Sequence, residues 1–217
     1  MVDVLLNRGG KNNLMNINVN NLDLGYQQCD ELNTLSRTSG ENLINNLGSD
    51  INNLKVHWKG NDATTHINNL IKVYDALIAV VGDAKAITSA AGSAMSAIQE
   101  VRRANGGSGS VGSLLPKEAP DSAPISNVDE TTEYYCDPLA RADYIQLVQI
   151  CTDFVNFKDQ FVSQKDTLMS NWTAGANREQ AVSAFNDFES NATNYNTYLT
   201  DARDNLEIAV NNIAKLN

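Results

Sequence analysis

Trp58-Lys59-Gly60 separates two long runs of helix-forming sequence, and Trp172-Thr173-Ala174-Gly175 separates two more in the second half of the chain. A turn with tryptophan and glycine between two long helices therefore occurs twice. Glycine suits such a turn because it adopts a positive φ that a residue with a Cβ resists. The repeated order of helix, elbow and helix indicates an internal duplication of a helical hairpin.

The runs beside each elbow carry apolar residues every three or four positions, as one face of a helix does. The first helix is predicted from about residue 22 to 56, and Ser36 and Gly40 interrupt its apolar stripe. Lys158 and Lys165 lie in the stripe of the third helix, where we expect buried stems and solvated ammonium groups. The stripe of the third helix is Leu147, Cys151, Phe154, Lys158, Phe161, Lys165, Leu168 and Trp172. The clearest stripe, that of the fourth helix, is Phe185, Phe188, Ala192, Tyr195, Leu199, Ala202, Leu206, Ala209, Ile213 and Leu216.

These elements divide the chain into four parts. Residues 1–21 are predicted to be a flexible tail, 22–105 the first hairpin, 106–138 a linker and 139–217 the second hairpin. The linker is assigned because Gly107-Ser108-Gly109-Ser110 is flexible and three prolines after it stop any helix.

Each hairpin has one apolar face that it cannot bury alone. Packing one hairpin on the other buries both faces and gives an all-α, four-helix bundle. The roughly 28 residues from 106 to 133, if extended, reach up to roughly 90 Å, which is enough to travel the full length of such a bundle. The long linker therefore favours antiparallel hairpins, with the two elbows at opposite ends.

The charge of the chain excludes several classes of partner. The 217 residues carry a net charge of −10, and the pI is about 4.6. Without a basic stripe to release counterions from phosphates, we expect no nucleic-acid binding. No apolar run approaches the ~20 residues that cross a bilayer, so membrane contact is not expected. The Ala/Gly-rich stretch from Ala84 to Ala97 is the one feature that hints at it.

The sequence offers no pattern typical of an enzyme. Cys29, Cys136 and Cys151 have neither the spacing of a zinc site nor the number of a disulfide framework. His57 and His66 flank the first elbow at a spacing that gives no helical ligand pair. A phosphate-binding loop and a nucleophile elbow are absent from the sequence as well. We therefore expect no catalytic residues, no cofactor and no metal.

Trp-x-Gly between two long amphipathic helices resembles the WXG-motif family of small helical-hairpin proteins, which type VII secretion systems of Gram-positive bacteria handle. Trp58 and Gly60 match the motif, whereas two residues rather than one separate Trp172 from Gly175. The resemblance implies that these four residues belong to a secretion motif. Members of the family typically form antiparallel dimers of hairpins, so this chain resembles a fused dimer. Its hairpins would pair within the chain, which implies a protein that is monomeric by itself.

Family substrates commonly carry a second signal, Tyr-x-x-x-Asp/Glu, beyond the hairpin. No such motif follows Leu206, and the match with tyrosine is Tyr26-Gln27-Gln28-Cys29-Asp30, near the start of the first helix. In antiparallel hairpins that segment lies near the Trp172 elbow. The resemblance thus implies a recognition patch of Tyr26, Asp30, Trp172 and Gly175. The alternative is that Tyr26 and Asp30 are ordinary helix residues and that the tryptophans close the core.

The resemblance implies a non-enzymatic component of type VII secretion, either a secreted substrate or a partner that escorts a larger toxin. The missing signal favours the escort, because the toxin could supply it. The expected partners are then the secretion machinery and a larger co-secreted toxin. Because the N-terminus lacks a basic segment followed by a long apolar run, we expect export without a signal peptide. The alternative function is a secreted effector that acts as an adhesin or a membrane-active helical protein.

Overall fold

The structure, a computed structural model, describes residues 18–104, 122–131, 133–174 and 176–214. These residues fold almost entirely as helix, so the all-α fold class is confirmed. The elements are β1 (Asn18–Val19), α1 (Leu22–Thr34), a π-helical turn (Leu35–Ser39), α2 (Gly40–His57), β2 (Trp58–Lys59), α3 (Asn61–Ala104), β3 (Tyr135–Cys136), α4 (Ala140–Asn171), β4 (Trp172–Ala174) and α5 (Ala176–Ala214).

The first predicted helix forms as α1 and α2, joined by the π-helical turn. This turn lies where the apolar stripe is interrupted. Ser36 is fully buried there, and its hydroxyl donates to the carbonyl oxygen of Asn33 at 3.0 Å. A Cβ at Gly40 would lie only 2.8 Å from Cγ1 of Val81 on α3. The small residues that break the stripe are therefore buried residues, and one of them allows two helices to approach closely.

The chain divides into two compact units, and the longest helices contribute to both. Unit 1 comprises Met1–Arg37, Asp83–Ala119 and Asp159–Glu189. Within it, the Phe161 ring of α4 packs on Phe188 of α5, with the ring centroids 4.5 Å apart. The other buried apolar residues of unit 1 are Leu22, Tyr26, Cys29, Leu32, Ala84, Ile87, Ala91, Ala94, Met95, Leu168, Trp172, Ala181 and Phe185.

Unit 2 comprises Thr38–Gly82, Pro120–Lys158 and Ser190–Asn217. The Tyr195 ring of α5 meets Phe154 of α4 edge-on, with the centroids 4.4 Å apart. The apolar members of the α4 stripe, from Leu147 to Trp172, are all buried, as are those of the α5 stripe except Ala202 and Ala209, which are half-buried. The side chains of Ile213 and Leu216 lie outside the described part of the chain. The core of unit 2 also includes Leu43, Leu47, Ile51, Leu54, Ile67, Leu70, Leu77 and Val81.

In each unit, the elbow of one hairpin lies beside the segment where the other hairpin begins. In unit 1, a Cβ at Gly25 of α1 would lie 3.0 Å from Met95 and 3.3 Å from Asn171, which precedes the second elbow. In unit 2, the first elbow pairs with β3, just before α4. The hairpins are therefore antiparallel within both units, as the linker length predicted.

Two parts of the predicted linker are described, residues 122–131 and 133–138. The second part contains the strand β3, whereas the first has no regular secondary structure but is bonded to α2 and α3 of unit 2. The Tyr74 hydroxyl donates to Ala123 O at 3.2 Å, and Lys55 Nζ donates to Ser126 O at 2.7 Å. The Asn68 side chain donates to Val128 O at 3.0 Å and accepts from Val128 N at 2.8 Å. The Gly-Ser run of the predicted linker lies outside the described residues.

Lys165, which interrupts the stripe of α4, has a largely buried side chain, only 13% exposed. Its ammonium group lies 3.1 Å from Glu189 Oε2 and 3.0 Å from Asp166 Oδ1. The predicted burial of the stem is therefore confirmed, although acidic side chains as well as water receive the charge. Among the described helices, none is long and apolar enough to cross a membrane.

Candidate functional site

The first elbow is a sharp reversal between α2 and α3. α2 ends at His57, Trp58 is extended with φ −141° and ψ 126°, and Gly60 has φ +128°. The Gly60 carbonyl oxygen accepts from Thr64 N at 2.9 Å, so the glycine itself starts the helical hydrogen bonds of α3. The positive φ predicted for Gly60 is confirmed, and it explains why glycine stands there.

Trp58 closes the core of unit 2 and is only 4% exposed. Its ring stacks on His66 of α3, with the centroids 5.6 Å apart and the planes at 21°. Burial lowers the pKa of His66, and the nearby Asp62 carboxylate opposes that shift. The lowered pKa favours the neutral imidazole, which can stack on an indole without losing hydration of a charge.

A two-stranded sheet joins this elbow to the segment before α4. Trp58 pairs with Cys136, and Lys59 pairs with Tyr135, in antiparallel register. One step further, Asp137 N donates to His57 O at 2.8 Å. These bonds satisfy backbone groups that the end of α2 leaves without helical partners.

A histidine and an aspartate add a side-chain link between α2 and α4. His57 Nδ1 lies 2.7 Å from Asp143 Oδ2, and the Asp143 side chain is only 7% exposed. Asp50, two turns before His57, is 1% exposed, and neither of its oxygens has a hydrogen-bond partner among the described residues. Burial, with a smaller effect of the Asp143 charge, raises the pKa of Asp50 to about 8. The raised pKa favours the protonated, neutral form of Asp50 at pH 7.

The second elbow reverses the chain between α4 and α5 in unit 1. Trp172 pairs with Val19 of β1, and Ala174 pairs with Asn18. The Trp172 side chain is 1% exposed, and its Nε1 has no partner within the described ranges. Its carbonyl oxygen accepts a hydrogen bond from Arg178 Nε of α5. Gly175, which the sequence assigned to the motif, lies outside the described residues.

Asn171, immediately before this elbow, binds the start of α1. Its Oδ1 accepts from Asn21 N at 2.8 Å, and its Nδ2 donates to Asn21 O at 2.6 Å. Asn21 in turn caps α1, because its Oδ1 accepts from Leu24 N at 3.1 Å. Residues 18–21, which the sequence assigned to the flexible tail, therefore form a strand and a helix cap.

The four residues of the predicted recognition patch do not share one exposed surface. Tyr26 is 8% exposed, and its hydroxyl donates to Gln99 Oε1 of α3 at 3.1 Å. Trp172 is buried as well, and Gly175 is not described. Asp30 is exposed, at the edge of an open groove of about 540 Å³ that Glu31, Asp159 and Gln160 also line. Trp172 is buried at the elbow, as core closure requires, and Tyr26 is a buried residue of α1.

The same closure occurs at both elbows and was not predicted from the sequence. In each unit the tryptophan pairs with a residue that lies three or four positions before the first helix of the other hairpin. These strands are two or three residues long, too short to leave a periodic pattern. The signal that could have found them is the extended, turn-rich sequence just before each hairpin.

Within the described ranges, no group of three His, Cys, Asp or Glu side chains could hold a metal ion. Comparison with protein families, curated proteins and solved structures finds no match to this chain.

Proposed function

We propose that this protein is a non-enzymatic component of a type VII secretion system, a helical partner that escorts a larger secreted protein. The observation that carries the proposal is how the elbows are closed. Trp58 lies opposite Cys136 and Trp172 opposite Val19, so each Trp elbow pairs with the segment that leads into the other hairpin. This arrangement supports a fused version of the antiparallel hairpin dimers that the sequence resembles.

The escort role is favoured over that of an independent substrate by the state of Tyr26. A Tyr-x-x-x-Asp signal needs an accessible tyrosine, whereas Tyr26 is buried and hydrogen-bonded to Gln99. A buried hydroxyl with a partner is costly to expose, because the bond is lost and the ring leaves the core. We infer that the escorted protein supplies the export signal.

The membrane-active alternative gains no support from the stretch that suggested it. Ala84, Ala91, Ala94 and Met95 are each at most 3% exposed. An apolar surface that already packs within unit 1 is available to a lipid bilayer only if that unit opens. No specific observation favours an adhesin.

The experiment uses the source bacterium with an inactivated secretion ATPase. The chain should disappear from the culture medium and accumulate inside the cells, as measured by immunoblotting of both fractions. Deleting the gene for this chain should abolish export of one larger protein that coprecipitates with it. Release that does not depend on the ATPase, or an unchanged set of exported proteins after deletion, would overturn the proposal.

Complementation provides the matched controls. The wild-type chain and a Gly82→Ala variant should both restore export, because no atom lies within 4 Å of a Cβ added at Gly82. Asp30→Asn tests the escort role directly, because it removes the carboxylate of the Tyr-x-x-x-Asp segment at an exposed position. Export should be unchanged in this variant, and loss of export would show that the chain is a substrate that carries its own signal.

A further inference from the structure

Two neighbouring tyrosines at the first elbow are exposed although their positions are fixed. Tyr134 is 75% exposed and Tyr135 is 50% exposed. Leu139, just beyond them, is 52% exposed. We call these three residues, which lie within six positions of the chain, the tyrosine face. Exposed large apolar side chains are typical of sites that bind other proteins, and tyrosine is enriched in such sites.

The elbow holds the tyrosine face in place. The Tyr134 ring lies over Gly60, so close that a Cβ on that glycine would be 2.9 Å from the ring. The backbone of Tyr135 pairs with Lys59, and its hydroxyl donates to Asp137 Oδ2 at 2.7 Å. The other oxygen of Asp137 accepts from Leu139 N at 2.8 Å. Aromatic groups that are ordered before binding lose little conformational entropy when a partner docks.

The surroundings of the tyrosine face are acidic. Residues 128–139 contain Asp129, Glu130, Glu133 and Asp137 but no lysine or arginine. Lys59 is the nearby cation, and it lies 2.8 Å from Glu133, while Arg141 follows in α4. Hydrogen bonds from Lys59 and from Leu139 N lower the pKa values of Glu133 and Asp137 respectively, so both are ionised at neutral pH. An excess of carboxylates beside an apolar face attracts a cationic partner.

We infer that the tyrosine face is a docking surface for a basic amphipathic segment of a partner protein. Apolar side chains of that segment would pack on Tyr134, Tyr135 and Leu139. Its lysines or arginines would meet the carboxylates around them. Arginine suits this role particularly well, because its guanidinium group stacks on tyrosine and forms paired hydrogen bonds with carboxylates.

This inference rests on the proposed function in one respect, that the chain acts by binding another protein. A second copy of the chain is a poorer occupant, because the net charge of −10 opposes self-association through an acidic face. The same acidity disfavours an anionic lipid surface.

The test is selection from a displayed library of random peptides about 16 residues long, enough for four helical turns. The full chain is the bait, and a Tyr134→Ser/Tyr135→Ser variant is the counter-selection target. Enriched peptides should carry net positive charge with apolar residues at helical spacing. Their affinity, measured by fluorescence anisotropy, should fall at least about tenfold in the double variant.

A Glu130→Gln/Glu133→Gln variant tests the charge argument. It should weaken binding about threefold or more and reduce the dependence of the affinity on salt. Tyr198→Ser is the matched control, because Tyr198 is 58% exposed on α5, and it should leave affinity unchanged. Circular dichroism establishes that every variant is folded.

Four outcomes would overturn the inference. These are the absence of enriched peptides, enrichment of neutral or acidic peptides, equal binding by the tyrosine variant, and dimerisation of the bait through the tyrosine face. Because the selection needs no secretion machinery, its result is independent of the export experiment. If basic peptides were selected but deletion of the gene left export unchanged, the tyrosine face would still be a binding surface, and the proposed role in secretion would be wrong.

Discussion

Asn171 and Asn21 exchange two hydrogen bonds across 150 positions of sequence, at 2.8 and 2.6 Å. One asparagine side chain binds both the N–H and the carbonyl oxygen of the other residue. This places the cap of α1 directly on the end of α4, beside Trp172. The Asn171 side chain is therefore the link between the second elbow and the start of the first hairpin.

Replacing Asn171 with alanine should destabilise unit 1. Two backbone groups of Asn21 lose their partner at a partly buried position, which costs about 1–3 kcal/mol. Urea unfolding measures the loss, and hydrogen exchange should become faster at Val19 and Asn21. Asn194→Ala, at an exposed position of α5, is the matched control and should stay within about 0.5 kcal/mol of wild type. Equal effects of the two changes would refute the role of Asn171.

The burial of Asp50 makes stability depend on pH. Its pKa is raised from 3.8 to about 8 in the folded protein, mainly by burial. Between these two values the folded state holds a proton that the unfolded state has released. The free energy of unfolding therefore falls as pH rises from about 4 to about 8, by up to about 1.4 kcal/mol per pH unit from this group.

Asp50→Asn should remove this contribution, because asparagine does not titrate. The variant should be more stable than wild type at pH 8, and the gain should shrink as the pH is lowered toward 4. Urea denaturation at several pH values gives both slopes. Asp75→Asn, at an exposed position of α3, should leave the slope of wild type unchanged. Parallel curves for wild type and Asp50→Asn would show that Asp50 does not titrate in this range.

Tyr195 carries a hydroxyl that its packing leaves without a partner. The side chain is 1% exposed, and the hydroxyl has no hydrogen bond within the described ranges. Tyr195→Phe keeps the edge-on contact with Phe154 and removes the unsatisfied group, so we expect stabilisation of about 1 kcal/mol. Thermal unfolding measures it. Tyr198→Phe, on an exposed ring, should change little, and a destabilised Tyr195→Phe protein would reveal a partner for the hydroxyl.

Substitution by alanine should have opposite effects on stability at Gly60 in the elbow and at Gly82 within α3. Gly60→Ala should destabilise the elbow by about 1–3 kcal/mol, because φ is +128° and the new methyl group meets Tyr134. Gly82→Ala should stabilise α3 by about 0.5–1 kcal/mol, because nothing lies within 4 Å of the added Cβ. Urea unfolding should give opposite signs. The double variant Gly60→Ala/Tyr134→Ala lacks the steric clash with the Tyr134 ring but keeps the backbone strain at positive φ. It should therefore recover only part of the lost stability.

The three thiols should differ in reactivity. Burial raises the pKa of Cys29 to about 12 and that of Cys151 to about 11, whereas Cys136 is only partly buried. Because the thiolate is the reactive form, Cys136 should react with a disulfide reagent at least about tenfold faster than the others. Counting thiols released over time in native and denatured protein checks this. Labelling of Cys29 at the same rate would mean that unit 1 opens readily.

The helices could be read from the sequence because a buried helical face imposes a spacing that neighbouring residues reveal. Phe185, Phe188, Tyr195 and Leu199 show it, and all four are buried. Gly60 was predictable for a similar reason, since a Trp–Gly elbow between helices needs a positive φ. By contrast, the burial of Asp50 could not be foreseen, because an aspartate two turns before a helix end usually faces water.

What the sequence by itself determined is the set of long helices, the two elbows between them and the apolar faces that must be buried, since each depends on residues close together in the chain. Only the tertiary structure decided which groups close the elbows. Val19 with Trp172, Asn21 with Asn171, Cys136 with Trp58 and His57 with Asp143 are joined by hydrogen bonds between distant residues. Backbone hydrogen bonding in particular is available to nearly every residue, so local sequence does not specify the partner. The packing of one hairpin against the other selects the hydrogen-bond partner of each of these groups.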